Sequence, residues 1–289
     1  MTPNELRGAV LNVKRWSRSD QRAPNKPLMM VYVLSKYLQG HGQFFDYESE
    51  VDREVTELLR RFGPTRSIYH AEYPFWRLTN DNIWTLNNAE TCLPRKSNND
   101  PSKRELIKHQ VTGGFNSAAF KILSQDSNFT LELLESILQD SFPQSVVEDI
   151  TRHLGLEFNF KQIQKRDPRF RKEVLRAYNY QCAVCGFDLR MDDVSVGLEA
   201  AHIKWKQFNG PCEVSNGLTL CAVHHKAFDK GAFSITEDFK VKLSDSLNGG
   251  EQVQRLFFDF EHKLINLPKK DNCLPNLEFL FWHQKEVFK

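Results

Sequence analysis

The stretch from Cys182 to Asp229 carries the residue types of two different metal sites. Cys182 and Cys185 are separated by two residues, and so are Cys221 and His224. Such a gap lets a tight turn aim both side chains at one tetrahedral ion, and two pairs at distant points build a structural zinc site. Position in the motif assigns His224, not His225, to that ion. His202, Asn216, His225 and Asp229 are then left over. His225 and Asp229 stand at i and i+4, one face of a helix, where both reach a single divalent ion. A neutral imidazole serves as a general base near neutral pH. A divalent ion offsets the charge that develops on an oxyanion and a leaving oxygen. A base and an ion together are what hydrolysis of a phosphodiester requires.

The order of these residues, a histidine on a strand, an asparagine in a loop, then a histidine and a carboxylate on a helix, resembles the HNH (ββα-metal) nucleases. The resemblance implies that His202 is the base and that Asn216 pins the intervening loop and so orients His202. It also implies that His225 and Asp229 hold a catalytic Mg²⁺, Mn²⁺ or Co²⁺. Leu198 to Ile203 alternates as a strand should, and Asn216 to Leu220 returns as its partner, delivering Cys221 and the helix. One position departs from the family, where an acidic or histidine ligand often precedes the base: here it is Ala201. Glu199 shares the side of Ala201 by the period of two. It either replaces the missing ligand or is a solvated strand residue, and Asp229 could alternatively cap its own helix.

Elements to position this chemistry must come from a chain of 289 residues, long enough for two modest domains. Hydrophobic residues at 40% support real cores, and a net charge of +2 is too small to identify a nucleic-acid partner. No apolar run approaches a membrane span, and Met1 to Glu5 reads as a helix cap with Thr2 and Glu5, not as a signal peptide. Cys92, Cys212 and Cys273 form no evident disulfide framework, which suits a reducing cytoplasm.

The expected fold is α+β, with a mainly helical domain over 1–156 and a nuclease domain over 157–289. Helices are expected at Leu6–Val13, Pro27–Leu38, Glu48–Phe62, Ser102–Lys108, Ser117–Gln125, Thr130–Ser141 and Pro143–Leu154. Phe75–Leu78 and Ile83–Leu86, around the turn Thr79–Asn82, read as one β-hairpin. Between Glu157 and Arg176 seven Lys/Arg face three acids, a candidate phosphate contact or simply a solvated helix face. Glu251–Lys289 is apolar enough to pack on the nuclease or to pair subunits.

Two segments of the first domain carry a second resemblance. Arg22-Ala-Pro-Asn-Lys-Pro-Leu28 and Tyr73-Pro-Phe-Trp-Arg-Leu-Thr-Asn-Asp81 resemble the signatures of the sulfur-binding domain of type IV restriction endonucleases. That domain recognises phosphorothioate-modified DNA, and in that family it is fused to an HNH nuclease. Sulfur in place of a phosphate oxygen keeps the charge but is larger, softer and less hydrated. A reader therefore needs an apolar dent beside cations. The resemblance implies a dent from Tyr73 and Pro74, and phosphate or base contacts from Asn25, Lys26, Arg77 and Arg22.

The expected protein is a modification-dependent restriction endonuclease. It would bind double-stranded DNA carrying phosphorothioate, cut nearby, and work as a homodimer because one ββα site cuts one strand. Two alternatives stand beside it: an HNH nuclease that reads a modified base or no mark, and a non-catalytic zinc-containing DNA-binding protein.

Overall fold

Thr2 starts the first helix as its residue types dictate. Its hydroxyl accepts from the Glu5 N–H at 3.2 Å, and the Glu5 carboxylate accepts from the Thr2 N–H at 2.7 Å. The computed structural model describes residues 1–14, 17–18, 21–96, 98–156 and 168–289. The chain divides into two units, Met1–Phe160 and Lys161–Lys289. The basic stretch from Glu157 to Asp167 lies outside the described residues.

The first unit runs α1 (Pro3–Leu11), a short β1–β2 pair (Ser17–Arg18, Gln21–Arg22), α2 (Asn25–Leu38), β3 (Phe45–Asp46) and α3 (Asp52–Phe62). It continues with α4 (Glu72–Arg77), β4 (Trp84–Asn87), α5 (Lys103–Lys108), β5 (Thr112–Phe115), α6 (Ser117–Gln125), α7 (Ser127–Ser141) and α8 (Gln144–His153). Helix α2 is buried continuously from Lys26 to Ser35, which makes it the central helix around which the others pack. A π-helical turn, Tyr47–Val51, leads into α3, so the expected helix from Glu48 is two joined pieces.

The expected hairpin of Phe75–Leu78 with Ile83–Leu86 is incorrect. Glu72–Arg77 is helical, and Leu78–Asp81 continues it as a 3₁₀ turn ended by Asn82 in the left-handed region. Pro74 lacks an N–H and fits a first helical turn, while Phe75 and Leu78, three residues apart, bury together. Strand β4 pairs with β5 instead, and β5 also pairs with β3 in a three-stranded antiparallel sheet. Gly114 is required in β5 because a Cβ there would sit 2.0 Å from the Gln43 carbonyl oxygen.

The second unit opens with α9 (Pro168–Ala177), whose Phe170, Val174 and Leu175 are buried. A hairpin of β6 (Arg190–Met191) and β7 (Val194–Ser195) precedes β8 (Leu198–His202). Strand β9 (Gly217–Cys221) pairs antiparallel with β8 in the register Leu198–Cys221 to His202–Gly217. Helix α10 (Ala222–Asp229) follows at once, completing a ββα unit. After β10 (Phe233–Ile235) and β11 (Val241–Leu243), α11 (Glu251–Leu256) and α12 (Leu277–Glu286) form the C-terminal extension. Phe257, Ile265, Phe279 and Leu280 join the same core as Leu218, Leu220 and Phe228, so the extension packs on the nuclease.

Candidate zinc, nuclease and reader sites

The turn after α9 brings Cys182 and Cys185 to the strand–helix junction that carries Cys221 and His224. One ligand atom from each lies within 4.8 Å of all the others. Cys182 and His224 are fully buried. Nδ1 of His224 stands 3.6 Å from the Cys182 sulfur and 3.1 Å from that of Cys221. A tetrahedral zinc, with bonds of about 2.3 Å to sulfur and 2.0–2.1 Å to nitrogen, separates such atoms by roughly 3.5 Å. Hydrogen bonds from the Cys182 and Cys185 thiols, reinforced by His224, pull the Cys221 thiol well below its ordinary value. Burial lowers the basicity of His224, but hydrogen bonds with Cys185 and Cys221 outweigh it and raise the ring to about 10. A thiolate held beside a protonated imidazole is a donor set in which a zinc ion can take the place of the proton. The residues fit the ion.

The nuclease residues sit on the same ββα unit. His202 ends β8, stacked on Phe170 of α9 at a centroid distance of 4.1 Å. Burial, then the charges of Lys206 and His225, lower its pKa to about 4. It is therefore neutral at pH 7. The thiol of Cys212 lies 3.5 Å from its Nε2. Gly217, opposite His202, has no room for a side chain, since a Cβ would meet Val174 at 2.4 Å.

Asn216 is fully buried, and its amide spans the loop after β8. Its oxygen accepts from the Lys204 N–H at 2.8 Å, and its nitrogen donates to the carbonyls of Lys204 at 3.0 Å and Pro211 at 2.9 Å. The Ile203 N–H donates to the Asn216 carbonyl at 3.0 Å. The residue after the base is thus fixed to Asn216 by backbone and the next by side chain.

On α10, Nε2 of His225 lies 3.5 Å from the Asp229 carboxylate, and Nδ1 is hydrogen-bonded to Glu199 on β8. The Nε2–Asp229 spacing suits two ligands sharing one ion, so these residues fit a divalent metal. Glu199 occupies the other ring nitrogen, the place of a carboxylate that fixes a ligand's tautomer.

In the first unit, Lys26 is buried and paired with Asp81. It is not the surface residue that its place near a helix start suggests. The pair joins the start of α2 to the turn after α4, and so brings the two signature segments together; Asp81 also accepts from the Lys14 N–H at 2.7 Å. Asn25 is the first residue of α2, and Arg22 lies on β2. Pro74 is buried and Tyr73 half-buried.

Spacing gave no signal for Arg95, which meets Tyr73 from far along the chain. The guanidinium of Arg77 lies over its ring at 4.6 Å and that of Arg95 at 5.1 Å, while His70 stacks on it at 4.6 Å. Arg95 also donates to the Tyr73 hydroxyl at 2.7 Å and to buried Glu72 at 2.6 Å. Arg77 is one helical turn on from Tyr73 in α4, and His70 comes from the turn before α4. Arg95 comes from the loop after β4, so only Arg95 is brought to the ring by long-range folding.

Residues 3–159 match the ScoMcrA-like DNA sulfur-binding domain family, and residues 182–236 match an HNH endonuclease family. Among solved structures, the sulfur-binding domain of ScoMcrA complexed with phosphorothioated DNA is similar at 17% identity and a TM-score of 0.45. That match covers 52% of this chain and 98% of the other. The sulfur-binding domain of SprMcrA, also complexed with phosphorothioated DNA, matches at 16% identity and a TM-score of 0.46 over 54% of this chain and 95% of that one. The modification-dependent TagI restriction endonuclease matches at 25% identity and a TM-score of 0.30, over 46% of this chain and 41% of that one. No curated protein matches. With its sulfur-binding match extending over more than half its length, the chain belongs to the ScoMcrA-like DNA sulfur-binding domain family, and it is a nuclease by virtue of its HNH endonuclease domain.

Proposed function

We propose that this protein is a modification-dependent restriction endonuclease that binds phosphorothioated double-stranded DNA through its first unit and hydrolyses phosphodiester bonds through its second. The observation that carries the reading is the arrangement of His202, Asn216 and His225 on one ββα unit, in a chain whose other unit is a DNA sulfur-binding domain.

In the proposed reaction His202, neutral at pH 7, takes the proton of the attacking water. Asn216 holds the loop that follows the base. His225 and Asp229 would bind a divalent metal, Mg²⁺, Mn²⁺ or Co²⁺, and Glu199 would orient His225 through its other nitrogen. That ion, when bound, supplies positive charge to the scissile phosphate and the leaving oxygen. Cys182, Cys185, Cys221 and His224 would hold zinc as a structural ion. One such site cuts one strand, so two copies of the chain would cut a duplex.

At the reader, Tyr73 and Pro74 would form the apolar wall for sulfur. Arg77, Asn25 and Arg22 would contact the backbone and nearby bases, with Lys26 holding α2 against the turn that ends in Asp81. The deciding experiment is cleavage of two otherwise identical plasmids, with and without phosphorothioate, in Mg²⁺, Mn²⁺ or Co²⁺. Cleavage confined to the modified plasmid supports the reading. Equal cleavage of both would leave an HNH nuclease that reads something else, and no cleavage in any metal would leave a DNA-binding protein.

A further inference from the structure

The loop between β4 and α5 brings one cation, Arg95, onto Tyr73 and one anion, Asp100, onto Arg77. It is closed by the pairing of Pro94 with Pro101 and by a 3.0 Å bond from the Arg95 N–H to the Asp100 carbonyl. Arg95 is the loop cation that reaches Tyr73. Its carboxylate partner Glu72 is buried and also meets His70 at 2.9 Å, so that pair belongs to the scaffold. Asp100 is placed differently. Its Oδ2 accepts from Arg77 Nε at 2.7 Å and lies 2.5 Å from the second guanidinium nitrogen. The Arg77 side chain is 37% exposed, against 22% for Arg95, so this pair lies nearer the surface, where DNA can reach it.

We propose that Asp100 sets the modification-independent part of the reader's affinity for DNA, its carboxylate occupying Arg77 in the free protein at the position a DNA phosphate oxygen takes in the complex. The proposal rests on the reading of the first unit as a DNA reader. A guanidinium grips carboxylate and phosphate with the same fork of N–H donors. A backbone contact at Arg77 is therefore made in exchange for Asp100, and its net gain is small. This exchange applies to every duplex, whatever its modification. The contact of sulfur with Tyr73 and Pro74 displaces no carboxylate, so it contributes in full. The shared electrostatic affinity is thereby lowered for modified and plain duplexes alike: their ratio stays that of the apolar contact, while plain DNA is left with weaker absolute binding.

The test is a salt titration of binding by the full chain to paired duplexes differing by one sulfur. Asp100→Asn keeps the shape and removes the charge, and Asp100→Ser is a second variant in case the first is poorly folded. Either should raise affinity for both duplexes by the same factor, roughly two- to fivefold, and leave their ratio unchanged. Either should also steepen the salt dependence by about one unit of slope, as for one added phosphate contact. In an Arg77→Ala background the same substitutions should change neither quantity. Unchanged affinity and slope in the wild-type background would overturn the proposal. So would a gain of equal size without Arg77, since Asp100 would then act only as general negative charge. The wild-type preference between the two duplexes tests the sulfur reading separately. An Arg77-dependent gain with no preference for sulfur keeps the exchange and removes that reading, and a preference for sulfur with no gain does the reverse.

Discussion

Nε2 of His224 donates a 2.8 Å hydrogen bond to the carbonyl oxygen of Leu256, the last residue of α11. A carbonyl can only accept, so the proton is on Nε2 and Nδ1 is the nitrogen that faces Cys182 and Cys221. The C-terminal extension thereby selects the tautomer of a metal ligand, and Phe257 packs against the same ring at 4.9 Å.

Zinc removal should therefore loosen both the ββα unit and the extension. Cys182→Ser is expected to give an insoluble or protease-sensitive nuclease unit, because metal binding is folding energy at such a site. Metal analysis of the wild-type protein should find one tightly held zinc per chain. A soluble Cys182→Ser protein that cleaves DNA at the wild-type rate would refute a structural zinc.

His202→Ala should abolish cleavage while leaving affinity for phosphorothioated DNA near that of wild type, because base and reader lie in different units. The pH profile carries a second expectation. Burial holds His202 near pKa 4, below its ordinary 6.5, so the base stays competent until pH falls toward 4. The acid limb of kcat/KM at saturating metal should accordingly lie well below 6.5. A limb centred at 6.5 would mean that another group limits the rate or that His202 is solvated in the working enzyme.

His283 is fully buried in the core of the second unit, stacked on Phe228 at 3.7 Å. Its Nε2 donates to the Phe228 carbonyl at 3.1 Å, and its Nδ1 accepts from the Ser234 hydroxyl at 2.8 Å. Both nitrogens are used by the neutral ring, and burial pushes the pKa down to about 3. The unfolded chain binds this proton from about pH 6.5 downward and the folded chain does not. The stabilisation is thus complete above pH 6.5 and is lost progressively toward pH 3, by roughly 1.4 kcal/mol per unit within that window. Urea midpoints of wild type and His283→Phe, compared between pH 7.5 and 4.5, should show a shallower decline for the variant. Parallel declines would assign the acid sensitivity to other groups, such as the zinc ligands.

Lys26 and Asp81 have side chains only 10% and 4% exposed. Breaking a buried pair by removing one partner leaves an uncompensated charge and costs about 3–5 kcal/mol. Lys26→Ala should therefore lower the melting temperature of the first unit markedly, and replacing both partners by apolar residues should recover much of the loss. If Lys26→Ala weakened DNA binding without changing stability, the residue would be a contact and the ion pair incidental.

The ββα unit was legible in the sequence because its chemistry depends on local spacing: two Cys/His pairs, a short alternating strand, and an i, i+4 pair on a helix. The sheet of the first unit was not. Strand β5 is Thr-Gly-Gly-Phe, whose glycines carry little strand propensity, yet Gly113 and Gly114 are dictated by close approach of Phe75, Leu86 and Gln43. With that partner hidden, Phe75–Leu78 was the nearest apolar run to pair with Trp84–Leu86. The surroundings of Tyr73 were hidden for a related reason, since Arg95 reaches its ring, and Asp100 reaches Arg77 beside it, only through the fold.

Tyr73 separates the sulfur reading from the plain structural one. Its ring carries the contacts of Arg77 and Arg95, its hydroxyl accepts from Arg95, and Phe75 beyond it, not Tyr73, fills the core. Truncating it should therefore cost the fold less than it costs recognition. Tyr73→Ala is expected to reduce affinity for phosphorothioated DNA far more than for plain DNA, because an apolar wall favours the poorly hydrated sulfur and is indifferent to the shared charge. Tyr73→Phe keeps the ring and loses the hydroxyl's bonds from Arg95 and Asn98, so it should retain most of the preference. The measurement is the ratio of affinities for two duplexes differing by one sulfur, with a thermal melt of each variant alongside. A Tyr73→Ala protein of normal stability and unchanged ratio would place the sulfur contact elsewhere.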